Sequence, residues 1–215
     1  MTRHSLAPAA LIALSAIPIV AGALRMTELA GGPALVADGA RHLAAPVPVM
    51  VHIVSVTLYS LLGAFQFRRR KGRWHRVAGR VLIPAGLLAA LTGMWMTLFS
   101  TLPAVDGPLL GGFRLVFGTA MAASIVLGLV AIRRRDFAAH RAWMIRAYAI
   151  GLGAGTQAVT QLPLLLIMGE LDELSKALMM AAGWVINLVV AEWIIRLNTA
   201  RLVRPHDDLD AVARA

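Results

Sequence analysis

VLIPAGLLAALTGMWMTLFSTLPAV, residues 81–105, runs for 25 positions without an Asp, Glu, Lys or Arg. A helix of about 20 apolar residues crosses a hydrocarbon core about 30 Å thick. In lipid a helix satisfies its own backbone N–H and C=O groups, which an open strand cannot do. This stretch therefore reads as one transmembrane helix. Other charge-free runs occupy Ser5–Leu24, Leu43–Phe67, Leu115–Ile132 and Ala147–Gly169. A sixth, Ala177–Ala191, is interrupted by Glu192 and resumes at Trp193. None shows the ten-residue alternation of a barrel strand. The expected fold is all-α, a polytopic transmembrane helix bundle of six spans.

Composition agrees with that reading. Of 215 residues, 59% are hydrophobic and only 15% charged. A soluble domain is nearer one quarter charged. The chain has no cysteine, which excludes thiolate metal sites, iron–sulfur clusters, covalent c-type haem and redox dithiols.

The net charge of +10 is distributed unevenly. Basic residues crowd Arg68–Lys71, Arg73, Arg76 and Arg80 after span two. They recur at Arg133–Arg135, Arg141 and Arg146 after span four, and at Arg196, Arg201 and Arg204 after span six. With Arg3 and Arg214, seventeen of the 21 Lys and Arg fall on one side of a six-span chain. The other side holds Arg25, Arg41, Arg114 and Lys176, with Glu28, Asp38, Asp106, Glu170, Asp172 and Glu173. The positive-inside rule then puts both termini of this multi-pass membrane protein in the cytoplasm. Trp74, Trp143 and Trp193 fall near that cytoplasmic interface.

Span one has a competing reading. Arg3, an apolar run and Ala21-Gly22-Ala23 resemble a signal peptide. The run is about 19 residues, longer than the usual 7–15, so a retained anchor is expected. Cleavage would leave five spans. The organisation is thus residues 1–45 as first span and outer loop, 46–198 as a five-span core, and 199–215 as a cytoplasmic tail.

Residues 68–76 read RRRKGRWHR and residues 133–141 read RRRDFAAHR. The same offset of 65 aligns Leu62-Gly63 with Leu127-Gly128. A parallel repeat of residues 52–80 and 117–145 would follow, related by an axis along the membrane normal. It would put His75 and His140 at equivalent depths, each just before a helix start.

The sequence resembles the bacterial multi-pass membrane family known as domain of unknown function 2306, over roughly residues 46–198. The resemblance is carried by His52-Ile53-Val54, Gln66-Phe67, His75-Arg76 and Gly79-Arg80. It continues through Asp136-Phe137-Ala138-Ala139-His140-Arg141, Trp143-Met144-Ile145-Arg146, Asn187-Leu188 and Ala191-Glu192-Trp193. It implies a membrane location and a helical architecture, and no reaction. Members often carry an Arg near the middle of span five, where this chain has Gln157. A role resting on that charge is in doubt here.

Two groups of residues are candidates for chemistry. His75, Arg76, Arg80, His140, Arg141 and Arg146 gather at cytoplasmic helix starts, where unpaired N–H groups and the helix dipole favour anions. They read as a site for an anionic or amphiphilic small molecule or a lipid headgroup, against the plainer reading of positive-inside anchors. The alternative is a b-type haem held by His75 and His140, which is the cofactor and metal these residues would suit. His42 could in principle join His52 at the outer side.

The second group is intramembrane and polar: His52, Tyr59, Gln66, Gln157 and Asn187. His52, Ser55, Tyr59, Gly63 and Gln66 follow steps of 3, 4, 4 and 3, so they share one face of span two, which should look into the bundle. Arg146, Gly153, Gln157 and Thr160 share a face of span five. Glu192 and Arg196 are spaced for an i,i+4 ion pair.

No hydrolase elbow, Walker loop, zincin or dinucleotide fingerprint is present, and no catalytic residue stands out. The expected partners are the lipid bilayer and its anionic headgroups. The basic loops are accounted for by topology, so no nucleic acid is implied.

Overall fold

The computed structural model describes residues 3–33, 35, 44–66 and 72–212. His42 and the segment Arg68–Lys71 lie outside the described residues. Among the described residues seven α-helices follow one another: α1 (Arg3–Leu29), α2 (Pro46–Ala64), α3 (Arg73–Phe99), α4 (Gly107–Arg133), α5 (Phe137–Gly151), α6 (Gly153–Met168) and α7 (Glu173–Val212). A 3-10 turn, Ala104–Asp106, precedes α4. Five of the helices are long and apolar enough to cross a bilayer, and the bent pair α5–α6 passes the same test when its two halves are taken as one span, for five or six in all.

Local chemistry sets most of the boundaries. Proline opens α2 and α4, where its missing N–H costs nothing. Asp136 caps α5 by accepting from the Ala139 N–H at 2.9 Å. Asp172 caps α7 in the same way through the Ser175 N–H at 3.0 Å. The Ser175 hydroxyl, and after it that N–H, hold the Asp172 carboxyl below the usual carboxylate range. Gly169 ends α6 at a φ of 76°, a left-handed value that suits glycine.

Helices α2 to α5 pack as successive neighbours, α7 lies against α4, α5 and α6, and α1 covers α2 and α6. The core is Tyr59, Leu82, Ala89, Met121, Ile125 and Tyr148 with their neighbours. Leu166 and Ile167 are 76% and 81% exposed, as helices facing lipid rather than water can be.

Several helix ends differ from the sequence expectation. α3 starts at Arg73 and α5 at Phe137, ahead of His75 and His140 rather than about two residues after them. A charged residue ends an apolar run but not a helix, because its head reaches the interface while its backbone stays hydrogen-bonded. His75 and His140 therefore lie inside the first turns of α3 and α5, not ahead of them. α1 likewise runs past Arg25, which is buried and paired with Glu28.

The fifth span is broken at Leu152, where α5 and α6 meet at 43°. Three glycines surround the break, and each is pressed by another helix. A side chain at Gly151 would meet the Tyr59 ring, one at Gly153 the Trp184 indole, and one at Gly155 the Leu14 carbonyl. The Ala149 carbonyl has no backbone partner across the break among the described residues, and Asn187 Nδ2 donates to it at 3.0 Å. Thr156 Oγ1 on the far side donates to Asn187 Oδ1 at 2.7 Å. One amide thus stitches both halves, which satisfies the rule that lipid-buried polar groups need protein partners.

Candidate functional site

Helices α2 to α7 line a half-open cavity of about 330 Å³. That is at the small end of the roughly 300–1,000 Å³ typical of small-molecule sites. It lies in the half of the bundle remote from the arginine-rich helix ends. Its lining comes from the first part of α2, the second half of α3, the start of α4 and the start of α7. Most of the wall is apolar, including Val56, Met94, Met121, Ile150 and Trp184.

The polar face of α2 does turn inward: Ser55, Tyr59 and Gly63 are buried. Of the five intramembrane polar candidates, His52, Tyr59 and Gln157 line the cavity together. Gln66 sits at the other end of α2, its Nε2 buried without a partner among the described residues. Asn187 supports the wall from behind through its bonds at the α5–α6 break.

His52 is fixed by α3. Its Nδ1 lies 3.0 Å from the Ala89 carbonyl oxygen and 3.0 Å from Thr92 Oγ1. Gly93 makes room for the ring, since a Cβ there would come within 3.2 Å of Cε1. Tyr59 stands two turns further along the same face. Its ring sits between Gly86 and Gly151 and packs against Tyr148 at 5.7 Å between centroids.

On the opposite wall, Gln157 Nε2 donates to the Met180 carbonyl at 3.0 Å, and Thr160 donates to the Met179 carbonyl at 2.9 Å. With Gly153 on Trp184 and Arg146 on Glu192, the whole polar face of the fifth span packs on α7. Trp184 stacks on Phe117 with centroids 4.7 Å apart. That stack seats the indole in the wall.

At the end remote from the arginine-rich helix ends, Asp106 lines the cavity with its side chain 3% exposed. Arg114 Nη2 donates to Asp106 Oδ2 at 2.8 Å, and Lys176 Nζ is 2.5 Å from Oδ1. Glu173 packs on Gly107 beside them. These charges clamp the α3–α4 connection to the start of α7. Sequence reasoning read Asp106, Arg114 and Lys176 only as outer-side charges, and Trp184 not at all. The one local signal was Asp106-Gly107-Pro108, a turn that aims Asp106 back at the bundle.

The candidates at the arginine-rich end are arranged differently. His140 Nδ1 is 2.8 Å from the Gly128 carbonyl oxygen, and His75 is half-buried on α3. Arg76, Arg80 and Arg141 are exposed. Arg146 is committed to Glu192, with Nε–Oε1 at 2.5 Å and Nη2–Oε2 at 3.0 Å. Its guanidinium also lies 4.7 Å from the Trp143 ring centroid. Glu192 therefore makes its close pair with Arg146 rather than the expected Arg196, because α5 packs on α7 and offers a planar fork. Among the described residues no three His, Cys, Asp or Glu could share an ion.

No curated protein and no solved structure matches this chain. A family model does, that of the predicted membrane protein family DUF2306, over residues 49–195. The matched segment takes in α3 to α6 whole and most of α2, and reaches the Arg146–Glu192 pair. Because the match covers more than half of the chain and the bundle has the required apolar helices, this multi-pass membrane protein belongs to the DUF2306 family.

Proposed function

We propose that the protein is a binding module for a small amphiphilic molecule, held in the cavity lined by α2 to α7. The observation that carries this reading is one mostly apolar chamber into which His52, Tyr59 and Gln157 converge from two helices. Such a chamber, with few polar groups in fixed places, is the usual form of a small-molecule site. By the positive-inside rule the arginine-rich ends face the cytoplasm of a bacterial inner membrane, where they meet anionic headgroups. The cavity then opens toward the outer leaflet. This moves the site away from the cytoplasmic His75 and His140 cluster, where Arg146 is already paired.

Trp184 lines the chamber and reports on it. In a variant whose other four tryptophans are Phe, bromobenzene should quench Trp184 saturably. Ala154→Phe, which fills the chamber, should leave only linear, non-saturable quenching. Linear quenching in both proteins would sink the proposal. A haem absorbance band in the purified protein that disappears in His140→Ala would favour the bis-His haem reading instead.

A further inference from the structure

We infer that His52 selects ligands carrying a hydroxyl donor, so that the chamber takes a lipophilic phenol or alcohol rather than a pure hydrocarbon. This rests on the cavity reading above and goes further by naming the chemistry recognised. A carbonyl oxygen can only accept a hydrogen bond. The Ala89 carbonyl is 3.0 Å from His52 Nδ1, so Nδ1 carries the proton. Thr92 is consistent with this. Its hydroxyl donates back to the Leu88 carbonyl, leaving its oxygen to accept from Nδ1. Both contacts come from α3 and both fix the same tautomer.

A neutral imidazole protonated on Nδ1 has a lone pair on Nε2. That nitrogen has no partner among the described residues, while the ring lines the chamber. The lining does hold donors, but Thr97 donates to the Gly93 carbonyl, Gln157 to the Met180 carbonyl and Arg114 to Asp106, and none is hydrogen-bonded to Nε2 among the described residues. A bound molecule that brings its own O–H completes the set. One that brings only carbon leaves Nε2 unsatisfied. Tyr59, seven residues further along the same face, has no hydroxyl partner among the described residues either. It stands about 10 Å along the helix by its rise per residue, at the far end of an elongated ligand.

The test compares 4-bromophenol with 4-bromotoluene, which differ by hydroxyl against methyl, using Trp184 quenching at pH 7.5. The readout is the ratio of their affinities in wild type and in His52→Phe. One hydrogen bond to a neutral acceptor corresponds to a change in that ratio of about three- to tenfold. The expected result is that the ratio falls by this factor in the variant. A ratio unchanged by His52→Phe overturns the inference and leaves the cavity reading intact. Failure of both probes to bind saturably overturns the cavity reading itself, and this inference with it. Should His52→Phe not fold, the 15N spectrum of the wild-type imidazole decides. A proton on Nδ1 and a bare Nε2 that shifts only with 4-bromophenol supports the assignment. A proton on Nε2 overturns it.

Discussion

The ring of Tyr59 occupies space that two glycines leave open. A Cβ at Gly86 would stand 2.6 Å from Tyr59 Cε2 and 2.8 Å from Ile125 Cδ1. A Cβ at Gly151 would stand 2.8 Å from Tyr59 Cε1. Both contacts are far inside van der Waals distance, so α3 and α5 can approach α2 this closely only through glycine. Gly86→Ala should destabilise the bundle by about 1–3 kcal/mol, the usual cost of overpacking. Gly79→Ala is the internal control. Nothing lies within 4 Å of its added methyl, so the better helix propensity should leave stability unchanged or raised by up to about 1 kcal/mol. Thermal or denaturant unfolding in one detergent compares the two. Equal losses would show that Tyr59 does not depend on the gap.

The broken span is the element that gives the bundle its chamber. Gly151, Ala154 and Gln157 line the cavity across the break, so the 43° bend shapes that wall. Asn187 bonds both sides of it. Asn187→Leu leaves the Ala149 carbonyl and the Thr156 hydroxyl without these partners. The expected cost is about 1–2 kcal/mol, between the average membrane hydrogen bond and a fully stranded buried group. In a double-mutant cycle Thr156→Val should cost less in the Asn187→Leu background than in wild type. Strict additivity would mean that the break is held by packing alone.

Across the whole molecule, helix direction alternates so that Arg73–Arg80, Arg133–Arg135 and Arg196 share one end, with Asp106, Asp172 and Lys176 at the other. Reporter fusions after Arg135 should read cytoplasmic, and fusions near Asp106 and Asp172 should read outside. An outside reading at Arg135 would invert the assignment and place the chamber in the cytoplasmic leaflet. We propose from the 65-residue offset that matches Leu-Gly, Arg-Arg-Arg and His-Arg that the α2–α3 and α4–α5 hairpins are related units.

The all-helical class, the apolar segments behind five or six spans, the basic clusters and the inward face of α2 were all legible in the residues. Each is set by one segment against its solvent: twenty apolar side chains insert as a unit, and a polar stripe turns from lipid whatever lies opposite. His52, Tyr59 and Gln157 could be named from that rule alone. That they share a chamber could not. It depends on where α3, α6 and α7 leave volume unfilled, a property of several helices at once. The same holds for Glu192 choosing Arg146 over Arg196, and for Asp106 turning inward to meet Arg114 and Lys176. Partners 46 and 70 residues apart become neighbours only through helix packing, and no local spacing encodes them. The tautomer of His52 is the finest case. The sequence supplies an imidazole, and the Ala89 carbonyl of another helix decides which nitrogen meets the ligand.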